Sequence, residues 1–253
     1  RVPPISGRHP TRGGLVAMDV ETQMIEVPAA GGAMPAFRVR PKSGARAPGV
    51  LVIQEAFGLN EHIKDVARRI AGEGYVALAP DLYWRGGKGR TVGYDQLPEA
   101  IGLMQSLKDP EVVSDVASGI AYLEKQSFVR ADRIGITGFC MGGRVAYLAA
   151  CELADKIKAS APFYGGGIPV EKTAKLECPV LAFFGEKDAF IPLESVEQLK
   201  AEARRHRKAV EVVVYPGAGH GFFCNERASY QKAAAEDAWA RLKKFFATHL
   251  GAS

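Results

Sequence analysis

The chain has 253 residues, of which 47% are hydrophobic and 24% are charged, and this suits one large globular domain. Its formal net charge of +5 is spread along the chain. The densest basic run, residues 203–208, contains no aromatic residue, so we expect no nucleic-acid partner. No apolar run reaches about 18 residues, which excludes a transmembrane helix.

In chain order, the sequence opens with an arm rich in Pro, Gly and Arg over residues 1–18, followed by a domain over residues 19–253. Strand and helix patterns then alternate. The predicted strands are ETQMIEVPA, AMPAFRVRP, the run at residues 50–53, YVALAP, RIGIT, KASAPFY, PVLAFFG and VEVVVYP. The predicted helices cover residues 62–73, 97–107 and 111–126, a segment from Gly142, residues 193–206, and a segment from Ser229.

This alternation predicts an α/β fold with a mostly parallel, doubly wound sheet flanked by helices. The arm carries no apolar segment typical of a signal peptide. The chain has few cysteines, with no zinc-ligand spacing, so we expect a cytoplasmic protein without a metal or other cofactor. The sequence leaves open whether the protein is a monomer or a homodimer.

The stretch GFCMG, residues 138–142, fits the nucleophile motif G-x-S-x-G, with Cys140 in the serine position. A strand pattern precedes it and a helix pattern follows it. A thiol at a helix N-terminus is favoured as thiolate. A buried structural cysteine is the alternative, but the strand–turn–helix context favours a nucleophile.

A cysteine nucleophile needs a base and a group that orients the base. In the order nucleophile, acid, histidine, the candidates are Asp188 after PVLAFFG and His220 after VEVVVYP, with Glu186 as the alternative acid. The other histidines lie on helix patterns or near the termini. The amides of Met141 and Ala56 are the expected oxyanion donors. Glu55, beside Ala56, is either a site carboxylate or an exposed loop residue.

Together, the stretches IQEAFGLN, APDLYWR, GFCMGGR, FYGG, FFGEKDAFIP and GAGHGF resemble the dienelactone hydrolase (carboxymethylenebutenolidase) family over residues 50–250. This resemblance implies an α/β-hydrolase fold and a catalytic triad of Cys140, Asp188 and His220. It also implies that Glu55 takes the thiol proton when substrate binds, so that thiolate forms only when needed.

The same resemblance implies that Arg85 binds a substrate carboxylate and that Tyr164 is a site residue. The chain departs from the family after His220, where Cys224 stands in place of a second carboxylate-binding arginine and Arg227 is the nearest arginine. The expected function is therefore cofactor-free hydrolysis of a small ester or lactone, which could be anionic. The alternatives are a broad carboxylesterase or thioesterase, and a non-catalytic protein that binds a small anion.

Overall fold

The computed structural model describes residues 18–251, so the predicted arm lies, except for Met18, outside the described residues. The strands in this part of the chain are β1 (Val20–Ala29), β2 (Gly32–Pro41), β3 (Ala47–Ile53), β4 (Val76–Pro80), β5 (Val129–Phe139), β6 (Ala159–Phe163), β7 (Val180–Gly185) and β8 (Val210–Tyr215). The α-helices are α1 (Glu61–Gly72), α2 (Leu97–Ser106), α3 (Asp109–Glu124), α4 (Met141–Glu152), α5 (Leu193–Arg205) and α6 (Lys232–Leu250).

The eight strands form one sheet in the order β1-β2-β4-β3-β5-β6-β7-β8. The hairpin β1–β2 joins β4 in antiparallel fashion, whereas β3 to β8 all run parallel. The chain winds outward from β3 in both directions, since β4 lies on one side of it and β5 on the other. The predicted fold class, an α/β-hydrolase fold in a single domain, is confirmed.

Burial explains the apolar runs in the central strands. Every residue of β3, β4 and β7 is buried, as expected for parallel strands covered by helices on both faces.

Helix α1 begins where the side chain of Asn60 accepts a hydrogen bond from the amide of Ile63 at 3.2 Å. Helix α6 ends at Gly251, which has a left-handed φ of 66°.

Two boundaries differ from the sequence expectation. Strand β5 begins at Val129, well before the predicted RIGIT, because Val129 already pairs with Ala47 of β3. Helix α6 begins at Lys232 rather than Ser229, because the amide of Gln231 bonds back to the carbonyl of Phe222 at 3.0 Å. No helix within residues 18–251 is long and apolar enough to cross a bilayer.

Candidate active site

Cys140 lies on a sharp turn between β5 and α4. Its φ of 55° and ψ of −120° are unusual for a residue with a side chain. Glycines make the turn possible. A Cβ on Gly138 would lie 2.1 Å from the carbonyl oxygen of Gly142, and one on Gly142 would lie 2.4 Å from that of Ile53. The turn therefore has the tight geometry that the GFCMG motif predicts.

Exposure separates Cys140 from the other cysteines. Its side chain is partly exposed and lines a cavity at the carboxyl edge of the sheet, while the other three thiols are buried. Burial raises the pKa of Cys151 to about 12 and the pKa values of Cys178 and Cys224 to about 11. Those thiols stay protonated at neutral pH and are poor nucleophiles.

His220 and Asp188 meet at the same edge of the sheet. Nδ1 of His220 lies 2.8 Å from Oδ2 of Asp188, and both side chains are largely buried. The other carboxylate oxygen, Oδ1, accepts hydrogen bonds from the amides of Phe190 at 2.8 Å and Ile191 at 3.2 Å. Because every oxygen of Asp188 has a partner, the carboxylate is held in one orientation and so fixes the imidazole.

The surroundings of His220 favour its charged form. Burial lowers the pKa of His220, but hydrogen bonds with Asp188 and Cys140, together with their negative charges, outweigh burial and raise the pKa to about 9. A charged imidazole beside Cys140 can donate a proton to a leaving group.

Glu186, the alternative acid named from the sequence, and His62, a histidine of helix α1, both lie away from the Cys140–His220 pair. Glu186 accepts a hydrogen bond from the amide of Gly217 at 2.9 Å and is 40% exposed, so Asp188 rather than Glu186 contacts His220. His62 is buried, and this burial, with the charges of Arg69 and Arg227, lowers its pKa to about 4. The His62 imidazole is therefore neutral at neutral pH, and it does not line the cavity of Cys140.

The two expected oxyanion donors flank Cys140. Ala56 and Met141 line its cavity, and neither amide donates a hydrogen bond to another group within residues 18–251. The hydroxyl of Tyr83 ties them together, since it donates to the carbonyl of Ala56 at 2.8 Å and lies 3.7 Å from the sulfur of Met141. Two free amides beside a nucleophile are suited to a developing oxyanion.

Glu55 is fully buried, so it is not an exposed loop residue. It accepts a hydrogen bond from the hydroxyl of Tyr94 at 3.3 Å, and its other oxygen lies 3.4 Å from the guanidinium of Arg227. Burial raises the pKa of Glu55, while the positive charges of Arg227 and His220 oppose this effect. A buried carboxyl group with a raised pKa holds a proton more readily than an exposed one.

Arg227, which the sequence analysis named as the arginine nearest to Cys224, lies at the candidate site. Its guanidinium lies over the rings of Phe57 and Tyr94, at 5.4 and 5.6 Å from their centroids, and it lines the cavity of Cys140. Tyr94 was missed because it lies in an irregular loop without a periodic pattern. Its hydroxyl also accepts hydrogen bonds from Asn60 at 3.0 Å and from the thiol of Cys224 at 3.2 Å.

Arg85 lies outside this cavity, contrary to the role that the resemblance implied. Its guanidinium binds both oxygens of Asp115 at 2.6 and 2.8 Å and the carbonyl of Ala30 at 3.2 Å. Asp115 is almost completely buried in α3 and needs a cation. Arg85 borders a second cavity, on the other side of α2. Because it does not line the cavity of Cys140, the geometry does not support a contact between Arg85 and a substrate bound there.

Tyr164 is close to the site but does not line it. Tyr164 follows β6 directly and has a left-handed φ of 36°. Its ring lies edge-on to the His220 ring, with 5.2 Å between the two ring centroids. The side chain is fully buried, and its hydroxyl has no hydrogen-bond partner within the described part of the chain. The contact with His220 makes Tyr164 a packing support for the imidazole rather than a group exposed to substrate.

The cavity at Cys140 has a volume of about 560 Å³, a size suited to a small organic ligand. Its polar lining residues are Gln105, Asp109, Cys140, Arg144, His220 and Arg227. Its apolar lining residues are Ala56, Phe57, Leu97, Ile101, Met104, Leu107, Val112, Met141, Val145 and Phe190.

One buried group within residues 18–251 has metal-ligand chemistry. Glu55, His62 and Cys224 each place a potential ligand atom within 4.8 Å of the others. Imidazole, thiolate and carboxylate suit a transition metal. However, the guanidinium of Arg227 already contacts Glu55, and its positive charge opposes a cation at this position. This group was not predictable from sequence spacing, because Cys224 lies far along the chain from Glu55 and His62.

Comparisons with known proteins agree with this geometry. The model of the dienelactone hydrolase family matches residues 34–250. The chain is 38% identical to a "Putative carboxymethylenebutenolidase" of Synechocystis, over 93% of this chain and 100% of that protein. It is 34% identical to a "Probable 2-oxo-3-(5-oxofuran-2-ylidene)propanoate lactonase" of Bradyrhizobium, over 85% of this chain and 89% of that protein.

A solved structure gives the same result. The crystal structure of a "Putative Dienelactone Hydrolase" from Klebsiella pneumoniae superposes with a TM-score of 0.84 at 36% identity, covering 90% of this chain and 99% of that one. The chain therefore belongs to the dienelactone hydrolase family, and it is a hydrolase of the class that acts on ester and lactone bonds.

Proposed function

We propose that this family member hydrolyses a small ester or lactone with Cys140 as the nucleophile, His220 as the acid and base, and Asp188 as the group that orients His220. The observation that carries the proposal is the grouping of a partly exposed thiol on a strained turn with an Asp188–His220 pair at 2.8 Å. Nucleophile, base and orienting acid at one sheet edge are the parts that acyl transfer requires.

In the acylation step, the Cys140 sulfur attacks the acyl carbon and the carbonyl π electrons move onto its oxygen. The amides of Ala56 and Met141 stabilise that oxyanion. When the intermediate collapses, the carbon–oxygen ester bond breaks and the leaving alkoxide takes a proton from His220. In a lactone, this alkoxide stays attached to the acyl group. The product of this step is a thioester on Cys140.

In the deacylation step, His220 takes a proton from water and the resulting hydroxide attacks the thioester carbon. Cys140 leaves as thiolate, and the acid product is released. Because His220 has given its Nε2 proton to the leaving alkoxide during acylation, and the bond to Asp188 keeps the remaining proton on Nδ1, Nε2 is now free to act as the base. We assign to Glu55 the role of accepting the thiol proton before acylation, as the resemblance to the family implies, and its burial with a raised pKa supports this role.

A second candidate function is that of a broad carboxylesterase or thioesterase. The position of Arg85 favours it over a strictly dienelactone-specific enzyme, because the guanidinium expected to hold a carboxylate is bound to Asp115. A non-catalytic anion binder is the less favoured reading, because a binder has no need for nucleophile, base and orienting acid together.

Burst kinetics with p-nitrophenyl acetate test the proposal. We expect a burst equal to the enzyme concentration that iodoacetamide abolishes, and its loss in Cys140→Ala. Cys178→Ser is the matched control, because that thiol is buried away from the cavity and should leave turnover unchanged. Turnover in Cys140→Ala close to that of the wild type would contradict the proposal.

A further inference from the structure

We propose that Asn60 and Tyr94 are positioning residues for Glu55: a chain of hydrogen bonds from the start of helix α1 directs the hydroxyl hydrogen of Tyr94 at the Glu55 carboxylate. This inference rests on the proposed function, in which Glu55 accepts the thiol proton, and it names the groups that hold that carboxylate. Neither Asn60 nor Tyr94 lines the cavity of Cys140, so both act through Glu55.

The chain of hydrogen bonds starts at Asn60, whose side-chain amide has one favourable orientation. Its Oδ1 accepts a hydrogen bond from the amide of Ile63 at 3.2 Å and so caps helix α1. Its Nδ2 faces the other way and donates to the hydroxyl oxygen of Tyr94 at 3.0 Å. A flipped amide would place its NH₂ group against the N–H of Ile63, donor against donor. The helix cap therefore makes Asn60 a donor to Tyr94.

A second donor reaches the same hydroxyl oxygen of Tyr94. The thiol of Cys224 donates to it at 3.2 Å, and burial raises the pKa of this thiol to about 11, so the sulfur keeps its hydrogen at neutral pH. A phenol hydroxyl has a single hydrogen to donate. Because its other two neighbours are donors, this hydrogen has Oε2 of Glu55, 3.3 Å away, as its acceptor.

The ring of Tyr94 is held by contacts that do not involve its hydroxyl. It meets the ring of Phe57 edge-on, with 4.7 Å between the centroids, and the guanidinium of Arg227 lies 5.6 Å from its own centroid. Tyr94→Phe would keep both contacts and remove only the hydroxyl. The substitution therefore separates the hydrogen bond to Glu55 from the packing of the ring.

The two oxygens of Glu55 have different partners, since Oε1 faces Arg227 at 3.4 Å and Oε2 faces Tyr94. Glu55 can accept the thiol proton only while it is ionised. Burial raises its pKa, and this effect is opposed by the charges of Arg227 and His220 and by the hydrogen bonds from Tyr94 and Arg227. The hydroxyl of Tyr94 thus orients the carboxylate and favours the form that accepts a proton.

Stopped-flow bursts with p-nitrophenyl acetate test the role of Tyr94. We expect Tyr94→Phe to slow the burst about three- to tenfold, as the loss of one hydrogen bond would, and to leave the deacylation rate nearly unchanged. The control is Tyr122→Phe, which removes a hydroxyl that binds Arg38 at 3.0 Å outside the cavity. In a Glu55→Gln background, Tyr94→Phe should add no further loss. An equal loss in both backgrounds would show a merely structural effect and overturn the inference.

Two substitutions of Asn60 test the direction of the chain. Asn60→Ser and Asn60→Asp both keep an oxygen that can cap α1, which thermal unfolding checks. Asn60→Ser removes the donor to Tyr94, whereas Asn60→Asp replaces it with an acceptor that draws the hydroxyl hydrogen away from Glu55. We expect Asn60→Asp to slow the burst as much as Tyr94→Phe does, and Asn60→Ser to slow it less. The reverse order would contradict the proposed direction.

Infrared spectroscopy of the resting protein reads the hydrogen bond without any turnover. The difference between the spectra of the wild type and of Glu55→Gln identifies the bands of the Glu55 carboxyl group. We expect these bands to shift in Tyr94→Phe and in Asn60→Asp, and not in Tyr122→Phe. Unshifted bands would overturn the inference even if Cys140 forms an acyl intermediate. Shifted bands support it even if the wild type shows no burst, a result that would contradict the proposed function alone.

Discussion

At the scale of single residues, the choice of Asp188 over Glu186 has a measurable consequence. Asp188→Asn would place a hydrogen-bond donor against Nδ1 of His220 and favour the wrong tautomer, so kcat should fall by roughly 10⁴-fold. Glu186→Gln alters an exposed side chain and is the matched control. Steady-state kinetics of both variants provide the test, and a larger loss in Glu186→Gln would mean that the acid is wrongly assigned.

Glu55 is predicted to act in acylation rather than in deacylation. Glu55→Gln removes the proton acceptor but keeps the shape of the side chain and a group that can contact Arg227 and Tyr94. The burst rate should therefore fall by roughly 10²-fold or more, with a smaller effect on the deacylation rate. Stopped-flow kinetics measure both, and Glu61→Gln, an exposed residue of α1, is the control. An unchanged burst rate would show that His220 alone accepts the proton.

The pKa of His220, about 9, lies above the ordinary value of 6.5, so its charged form stabilises the fold. This stabilisation is fully present below pH 6.5 and is lost as the pH rises through 9; its size is about 3 kcal/mol. Urea denaturation below pH 6.5 and above pH 9 should show a loss in the wild type that His220→Gln lacks. Equal losses in the two proteins would mean that the pKa of His220 is not raised.

At the scale of elements, the Arg85–Asp115 pair joins the loop after β4 to helix α3. Arg85→Ala would leave the buried carboxylate of Asp115 with only the indole of Trp84, at 3.0 Å, as its polar partner. We expect the free energy of unfolding to fall by about 3 kcal/mol. We also expect equal effects on kcat/KM for a lactone carboxylate and for its methyl ester.

Arg133→Ala is the matched control for this pair, because Arg133 binds only the exposed, neighbouring carboxylate of Asp132 among side chains. Exposed pairs contribute little to stability, so its unfolding free energy should hardly change. Chemical denaturation and the two-substrate comparison provide the measurements. A selective loss of the lactone carboxylate in Arg85→Ala would restore Arg85 as a substrate anchor.

At the scale of the whole molecule, local patterns were sufficient to predict the sheet and to place three candidate site residues at one edge of it, while the catalytic role of these residues stays a prediction. Apolar runs mark the buried strands, and Cys140, Asp188 and His220 each follow a strand of the parallel part of the sheet, so the carboxyl-edge rule brings them together. The contact between Arg85 and Asp115 was not predictable, because it joins residues thirty positions apart through the packing of α3. The bonds of Tyr94 to Glu55 and Cys224 were missed for the same reason.

The central claim is that Cys140 forms the covalent acyl intermediate. The direct test is to mix the protein with p-nitrophenyl acetate, quench it with acid during the burst, digest it and locate the acetyl group by mass spectrometry. We predict one acetyl group per chain, on the peptide that contains Cys140, and none on that peptide in Cys140→Ala. An acetyl group found on another residue, or rapid turnover with Cys140 never modified, would contradict the account.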